Sequence, residues 1–374
     1  MDKFQGQPYT RDVAQVFVRV GGPGGQMFQG WTQSEVERSL ETIAGTFSVP
    51  ITLVPGHPPA IKRQDQVEVL INKTVVISGF VLSAEPFYRR DDCGMRIIGR
   101  DRTGDLVRCT AIHKGGQWRK VKIDRIVRDL VAPFGIDVVV QADIGGPITE
   151  FKLSHGEPVL DALSRVARLR GVLVTRDDQG RLLLTRAGQQ RFEGVIARGM
   201  NVISMDGIGT DEQRHSEYVA YGQHSAEGMD FESSRSQTAK AFDAEIKRYL
   251  PLVVNADGSH LAGDLKALVE HTARVRRGHA YGFKYVVEGW TFNGKPWPLN
   301  ARVRVYDDIA GLHGDEWLIC SVRQTCDLRE GDVTELVVRP IEAYDTIALK
   351  SKVRRDDRGN RNARDKAKLE KVVR

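Results

Sequence analysis

Cysteine is scarce in this chain: four residues in 374, at Cys93, Cys109, Cys320 and Cys326. No two of them stand in a Cys-x-x-Cys arrangement, which excludes zinc-ribbon and thioredoxin-like readings. Cys320 and Cys326 are an even number of positions apart in an expected strand region. That spacing places them on one face, yet too far apart along an extended chain to bond. Four free thiols fit a reducing compartment. Long apolar runs are missing as well, and none approaches the roughly 18 residues of a membrane span. Met1–Thr10 is polar and has no apolar signal-peptide segment. The expectation is synthesis in the cytoplasm, with no membrane partner.

Catalytic signatures are absent in the same way. Nine histidines occur, with no His-x-x-x-His or His-Glu-x-x-His pair to hold a metal on a helix. No Gly-x-Ser-x-Gly elbow is present. The glycines Gly21, Gly22, Gly24 and Gly25 are not followed by Gly-Lys-Ser/Thr, so they read as a hairpin connection and not a phosphate loop. Gly207-Ile208-Gly209 opens like a dinucleotide fingerprint, but Glu212 stands where the third glycine belongs, and we read it as a turn. The acidic pairs Asp91-Asp92, Asp177-Asp178 and Asp307-Asp308 are neighbours in expected turns, where adjacent side chains diverge. No catalytic, cofactor or metal residue is assigned.

The net charge of +6 is a property of one end. From Lys350 onward there are eleven basic and four acidic residues, a local net of +7, which leaves the remaining body at −1. A basic folded surface for nucleic acid is therefore not implied. Two readings of the tail stand open: contact with nucleic acid or an acidic partner through Arg354, Arg355, Arg358, Arg361, Arg364, Lys366 and Lys368, or a solubilising disordered extension.

What the chain does contain is a β-rich pattern that occurs twice. Phe47–Leu53, Pro58-Pro59, Val67-Glu68-Val69, Val75–Ser83 and Met95–Gly99 form the first set. Phe283–Thr291, Pro296 and Pro298, Val303-Arg304-Val305, Glu316–Val322 and Thr334–Arg339 form the second, in the same order. Apolar alternation marks the strands, and the prolines fall between them, where a missing N–H breaks no ladder. Between the two sets, Ile123, Ile126, Val127, Leu130 and Val131 recur at helical spacing, stopped by Pro133 and Gly135. A second helix starts near Pro158 and ends at Gly171. Strands Val172–Thr175 and Arg181–Arg186 then flank the turn Asp177–Gly180. Further on, residues 225–240 are polar and aperiodic, which predicts a long loop, and a helix is expected from Ser259 to Arg277.

The fold class expected is mainly β with α/β insertions: two similar small β-barrel domains, a small α/β domain and a basic tail. The boundaries are 1–105, 106–195, 196–345 with a loop and helical insertion at about 225–278, and 346–374.

One stretch, Gly99-Arg100-Asp101-Arg102-Thr103-Gly104-Asp105-Leu106, alternates charge between glycines at the expected domain boundary. We read Gly99, Arg100, Asp101, Gly104 and Asp105 as a hydrogen-bonded structural corner. Taken with Gly156–Leu163, Arg170–Thr175, Arg248–Val253 and Val303–Val305, it resembles the baseplate hub protein of contractile-tailed bacteriophages, and most of all that of Mu-like phages. The resemblance runs from about residue 13 to 345. It implies a structural protein of the virion tail baseplate, synthesised and assembled in the bacterial host cytoplasm, and a homotrimeric ring of pseudo-six-fold shape. A trimeric central spike would sit on one side, with six-fold tail-tube and other baseplate proteins on the other. It implies no enzymatic residue. The alternatives are a tail-borne cell-wall hydrolase, or the hub-like part of a type VI secretion spike.

Overall fold

Seven strands come from the first hundred residues: β1 (Val16–Val20), β2 (Gln26–Phe28), β3 (Gln33–Ser39), β4 (Thr46–Thr52), β5 (Gln66–Ile71), β6 (Thr74–Tyr88) and β7 (Cys93–Asp101). The structure is a computed structural model and describes residues 14–31, 33–53, 56–88, 90, 93–222, 237–254, 262–327 and 331–347. The strands form because apolar and polar residues alternate: Ser34, Val36 and Arg38 turn inward on β3 while Glu35 and Glu37 turn outward. They pair antiparallel along the path β3-β4-β7-β6-β5-β1-β2. Phe47, Val49, Val67, Ile77 and Ile97 are fully buried in the core that this half encloses. Each contributes about 1.5–3 kcal/mol by leaving water.

The next segment folds as an α/β unit: α1 (Asp105–Arg108), β8 (Gln117–Val121), α2 (Ile123–Val131), β9 (Val138–Val140), β10 (Ile148–Lys152), α3 (Val159–Arg168), β11 (Leu173–Arg176) and β12 (Leu182–Thr185). The apolar stripe of α2 faces that of α3, and Ile126, Val127, Leu163 and Val166 share one core. Beyond α2, a 3₁₀ turn containing Pro133 leads to Gly135, which adopts a left-handed conformation. The β11–β12 turn is held by the Asp177 carboxylate, which accepts from the N–H groups of Gln179 and Arg181 and from the Arg181 side chain.

The chain then continues with β13 (Gln190–Ala197), β14 (Val202–Gly209), β15 (Glu217–Gly222), β16 (Gln237–Phe242), β17 (Pro251–Val254) and α4 (Ala262–Ala280). Two expectations need correction. Gly207-Ile208-Gly209 is not a turn: it lies in β14, paired with Phe283, Gly282 and Tyr281. The polar stretch 225–240 is not loop to its end, because Gln237–Phe242 is a strand antiparallel to β15. Its polarity has a cause, since a strand in a small sheet needs only one apolar face. Ala239 and Ala241 meet Tyr218, Leu265 and Val269, a separate core under α4. Residues 223–236 of the expected loop and Ser259–Leu261 of the expected helix lie outside the described residues.

The last strands are β18 (Tyr281–Glu288), the short hairpin β19 (Thr291–Phe292) and β20 (Lys295–Pro296), β21 (Ala301–Asp307), β22 (Leu312–Asp327) and β23 (Gly331–Arg339). Their pairing path, β14-β18-β23-β22-β21-β13, repeats that of the first half, β3-β4-β7-β6-β5-β1. The repeat extends to irregularities. In β6 the residue skipped by the register is Val76 and then Leu82; in β22 it is Gly314 and then Cys320, at the same interval. Phe47 and Phe283 occupy the same place, opposite Gly99 and Val338. The halves differ at one margin: β1 joins β5 antiparallel, whereas β13 joins β21 parallel.

The two halves fuse into a 13-stranded sheet through a single junction, β22 against β3. Among the described residues no pairing closes either half into a ring. The bulge at Cys320 also reverses the expectation for the cysteines. Cys320 packs with Leu318 and Ala343 and Cys326 packs against the first-half core, so the two do not share a face.

Candidate assembly surface and the joints that support it

At the end of β7 the five corner residues each have a visible local cause. A Cβ on Gly99 would come within 2.2 Å of the Phe47 ring, and one on Gly104 within 2.2 Å of the Arg100 side chain. Both positions therefore need glycine for close approach. Asp101 is buried; its carboxylate accepts from the backbone N–H of Thr103 at 2.8 Å and from the Thr103 hydroxyl at 2.7 Å. It also faces Arg176 of β11 at 3.1 Å, with both side chains almost wholly enclosed. Burial pushes the Asp101 carboxyl above the usual carboxylate range, while Arg176 and the Thr103 bonds pull it back. The Thr103 hydroxyl also lies 3.0 Å from the carbonyl of Ile43, and Asp105 begins α1. First-half sheet and α/β unit are thus tied at one point by a desolvated ion pair.

A second joint was missed by the sequence reading. Arg38 is 1% exposed at the β22–β3 junction. Its guanidinium donates to the Trp297 carbonyl at 2.8 Å, the Gln324 side-chain oxygen at 3.2 Å and the Asp178 carboxylate at 2.9 Å. Gln324, fully buried, donates to the Trp290 carbonyl at 2.9 Å. One cation so connects the first half, the β11–β12 turn and the second half. Burial pulls the guanidinium below its ordinary value, with Asp178 opposing. The available signal was period-two alternation, which puts Arg38 on the same inward face as Val36. Seven residue pairs, Gln33–Ser39 against Ser321–Asp327, complete this junction, and Arg323 and Glu35 add an ion pair at 3.0 Å on its outer side.

Two edges contrast with it. Beyond Leu82, β6 has β7 as its sheet neighbour among the described residues, and β14 has β18. Both edges expose apolar groups: Tyr88 is 88% exposed and Ile203 is 55% exposed. Next to β14, at the end of α4, lies a cleft of about 670 Å³ lined by Thr210, Asp211, Arg214, Glu245, Arg274 and Arg277. Its charges are internally matched. Buried Asp243 accepts three bonds from Arg214, one from Nε at 2.9 Å and two from Nη2 at 2.8 and 2.9 Å, and Arg277 stands 3.4 Å away. Burial pushes the Asp243 carboxyl up, but the arginines outweigh it and hold it below the usual range.

Among the described residues no cluster of three His, Cys, Asp or Glu side chains is placed to hold a metal ion. No described helix is long and apolar enough to cross a membrane. The tail residues Arg354, Arg355, Arg358, Arg361, Arg364, Lys366 and Lys368 lie outside the described residues.

Comparison with known proteins gives this architecture its context. Residues 15–101 match the family described as Mu phage baseplate assembly protein GpP-like, N-terminal. Residues 103–186 match baseplate hub protein gp44-like, second domain. The chain is 29% identical over 351 residues to baseplate hub protein gp44 of Escherichia phage Mu, covering 91% of each. The 43 kDa tail protein of prophage MuSo2 from Shewanella oneidensis is 30% identical in sequence. The match covers 89% of this chain and 100% of that one, with a TM-score of 0.77. The tail protein of Neisseria meningitidis MC58 shares the fold at a TM-score of 0.75 and 21% identity, covering 88% of this chain and 99% of that one. The chain belongs to the baseplate hub proteins of Mu-like phages, a structural component of the virion tail and not an enzyme.

Proposed function

We propose that the protein is a homotrimeric ring at the centre of the baseplate, joining a trimeric central spike to the six-fold tail tube. The observation that carries this is the repeated pairing path with its matched bulges, which gives each chain two alike halves. Three such chains present six similar faces on one side while keeping true three-fold symmetry. In this reading each half is a small barrel-like domain, at 1–105 and 196–345, and the α/β unit at 106–195 braces them from outside. The corner Gly99, Arg100, Asp101, Gly104 and Asp105 and the Arg38 joint hold these pieces at a fixed angle. The strands β15–β17 with α4 are an insertion whose cleft faces the surroundings of the ring. The basic tail, 346–374, is a partner-binding extension, and assembly takes place in the host cytoplasm.

Light scattering of the purified full chain, alone and co-expressed with the spike protein of the same particle, tests this. The expected mass is three times 41.8 kDa in at least one of the two samples. A monomer in both would overturn the ring.

A further inference from the structure

The junction between the halves of one chain contains the design of a junction between chains. Within the chain, the outer part of β22 pairs with β3, with Gln324 opposite Val36 and Ser321 opposite Ser39. The internal repeat makes β6 the counterpart of β22 and β14 the counterpart of β3. Matching bulges align Pro86 with Gln324, and the Phe47–Phe283 equivalence aligns Gly207 with Val36. The strand pair that would repeat the internal junction is thus β6 with β14, and the outer edges of β6 beyond Leu82 and of β14 have no sheet neighbour among the described residues.

We infer that β6 of one chain pairs antiparallel with β14 of a second copy, with Ser83 opposite Thr210, Ala84 opposite Gly209, Glu85 opposite Ile208 and Pro86 opposite Gly207. The inference rests on the ring reading and specifies its seam. Two independent features support it. A Cβ on Gly207 or Gly209 would meet nothing within 4 Å in its own chain. Glycine at alternate positions of a strand, where its own fold leaves room, fits the close approach of another backbone. Pro86 supplies the second. It has no N–H, so its pairing with Met95 must be of the kind in which the flanking residues make the bonds. Its carbonyl therefore points to the open edge, toward the place the internal symmetry assigns to Gly207. The missing donor removes one bond from the new ladder and keeps the isolated edge from recruiting arbitrary strands. Glu85 and Asp206 come diagonally close across this seam, each already opposite a base of its own sheet, Arg96 and Lys284.

The arrangement is head-to-tail, so each chain gives one edge and receives another, and copies add until the ring closes. Every second seam is then covalently continuous and every other one is between chains.

Cysteine cross-linking tests the register in the full-length protein. Exposed Cys93 and Cys109 are first replaced by serine. Glu85→Cys and Ile208→Cys are then combined, at a non-hydrogen-bonded position where Cα atoms lie about 4.5 Å apart, within disulfide range. Mild oxidation is expected to convert most of the protein to species of two and three times the chain mass on a non-reducing gel. Glu85→Cys with Gly207→Cys, one residue out of register, should give at least tenfold less. Light scattering runs in parallel. A trimer that does not cross-link, or that cross-links equally in both variants, overturns the seam and leaves the hub reading standing. A monomer that does not cross-link, either alone or co-expressed with the spike, overturns the seam and the ring together.

Discussion

The β22–β3 junction and the open β6 and β14 edges share one pairing geometry but use opposite chemistry. The closed junction is filled. Val322 and Gln324 meet Val36 and Arg38, all at 1% exposure or less, and the two polar side chains share a hydrogen bond and bind carbonyls of the surrounding loops. The open edges present Ala84, Pro86, Gly207 and Gly209 at the corresponding positions. A junction made during folding of a single chain can bury a cation, because its partners arrive with it. An edge that waits in water for another copy carries small residues and a proline, which cost little when uncovered.

That contrast can be broken at its strongest point first. Arg38→Ala should destabilise the protein by about 3–5 kcal/mol, because it strips a buried ion-paired cation and leaves acceptors unfilled. The drop in the denaturant midpoint measures it. Gln324→Leu keeps the volume but leaves the Trp290 carbonyl and one Arg38 donor short of a partner, and should cost about 1–3 kcal/mol. Tyr88→Ser on the open edge should move the unfolding midpoint by no more than about 0.5 kcal/mol, as for an exposed site. The same change should raise the concentration at which the trimer dissociates in sedimentation runs. A Tyr88 variant as destabilised as the Arg38 variant would erase the distinction.

Acid should give the smallest effect. His271, which meets the Asp345 carbonyl, and His279, against Tyr344 and Arg339, are both held below the ordinary imidazole value by burial. The unfolded chain then binds more protons than the folded one below about pH 6.5. Stability from these groups is complete above that value and is lost as the pH falls through the folded values. Thr210 donates to the Ala280 carbonyl beside His279, and Tyr344, against the His279 ring, donates to Glu41 just past β3, so acid should lower stability and weaken assembly at β14 in the same range. Thermal melts and light scattering between pH 7 and 5 would separate the two.

Much of this was legible in the residues. Period-two alternation located β4 to β7 and their counterparts β18 and β21 to β23, and the recurrence of their order announced the repeat. Helical spacing with Pro133 and Gly135 delimited α2, and Asp177 with Gly180 marked a hairpin turn that the structure contains. Local signals failed where burial depends on distant chain. Gly207-Ile208-Gly209 looks like a turn because glycine breaks strands, yet β18 supplies the ladder that makes it one. Gln237–Phe242 reads as loop until β15 pairs with it.

The residues by themselves determined most of the strands and helices and that the strand order occurs twice, because these follow from side-chain periodicity and from the backbone limits of glycine and proline. Tertiary structure alone decided which groups meet Arg38, that Cys320 and Cys326 part company at a bulge, and that β22 finds β3 across most of the chain's length. Strand pairing between remote segments depends on shape and desolvation summed over the whole sheet, and no local stretch of sequence holds that sum.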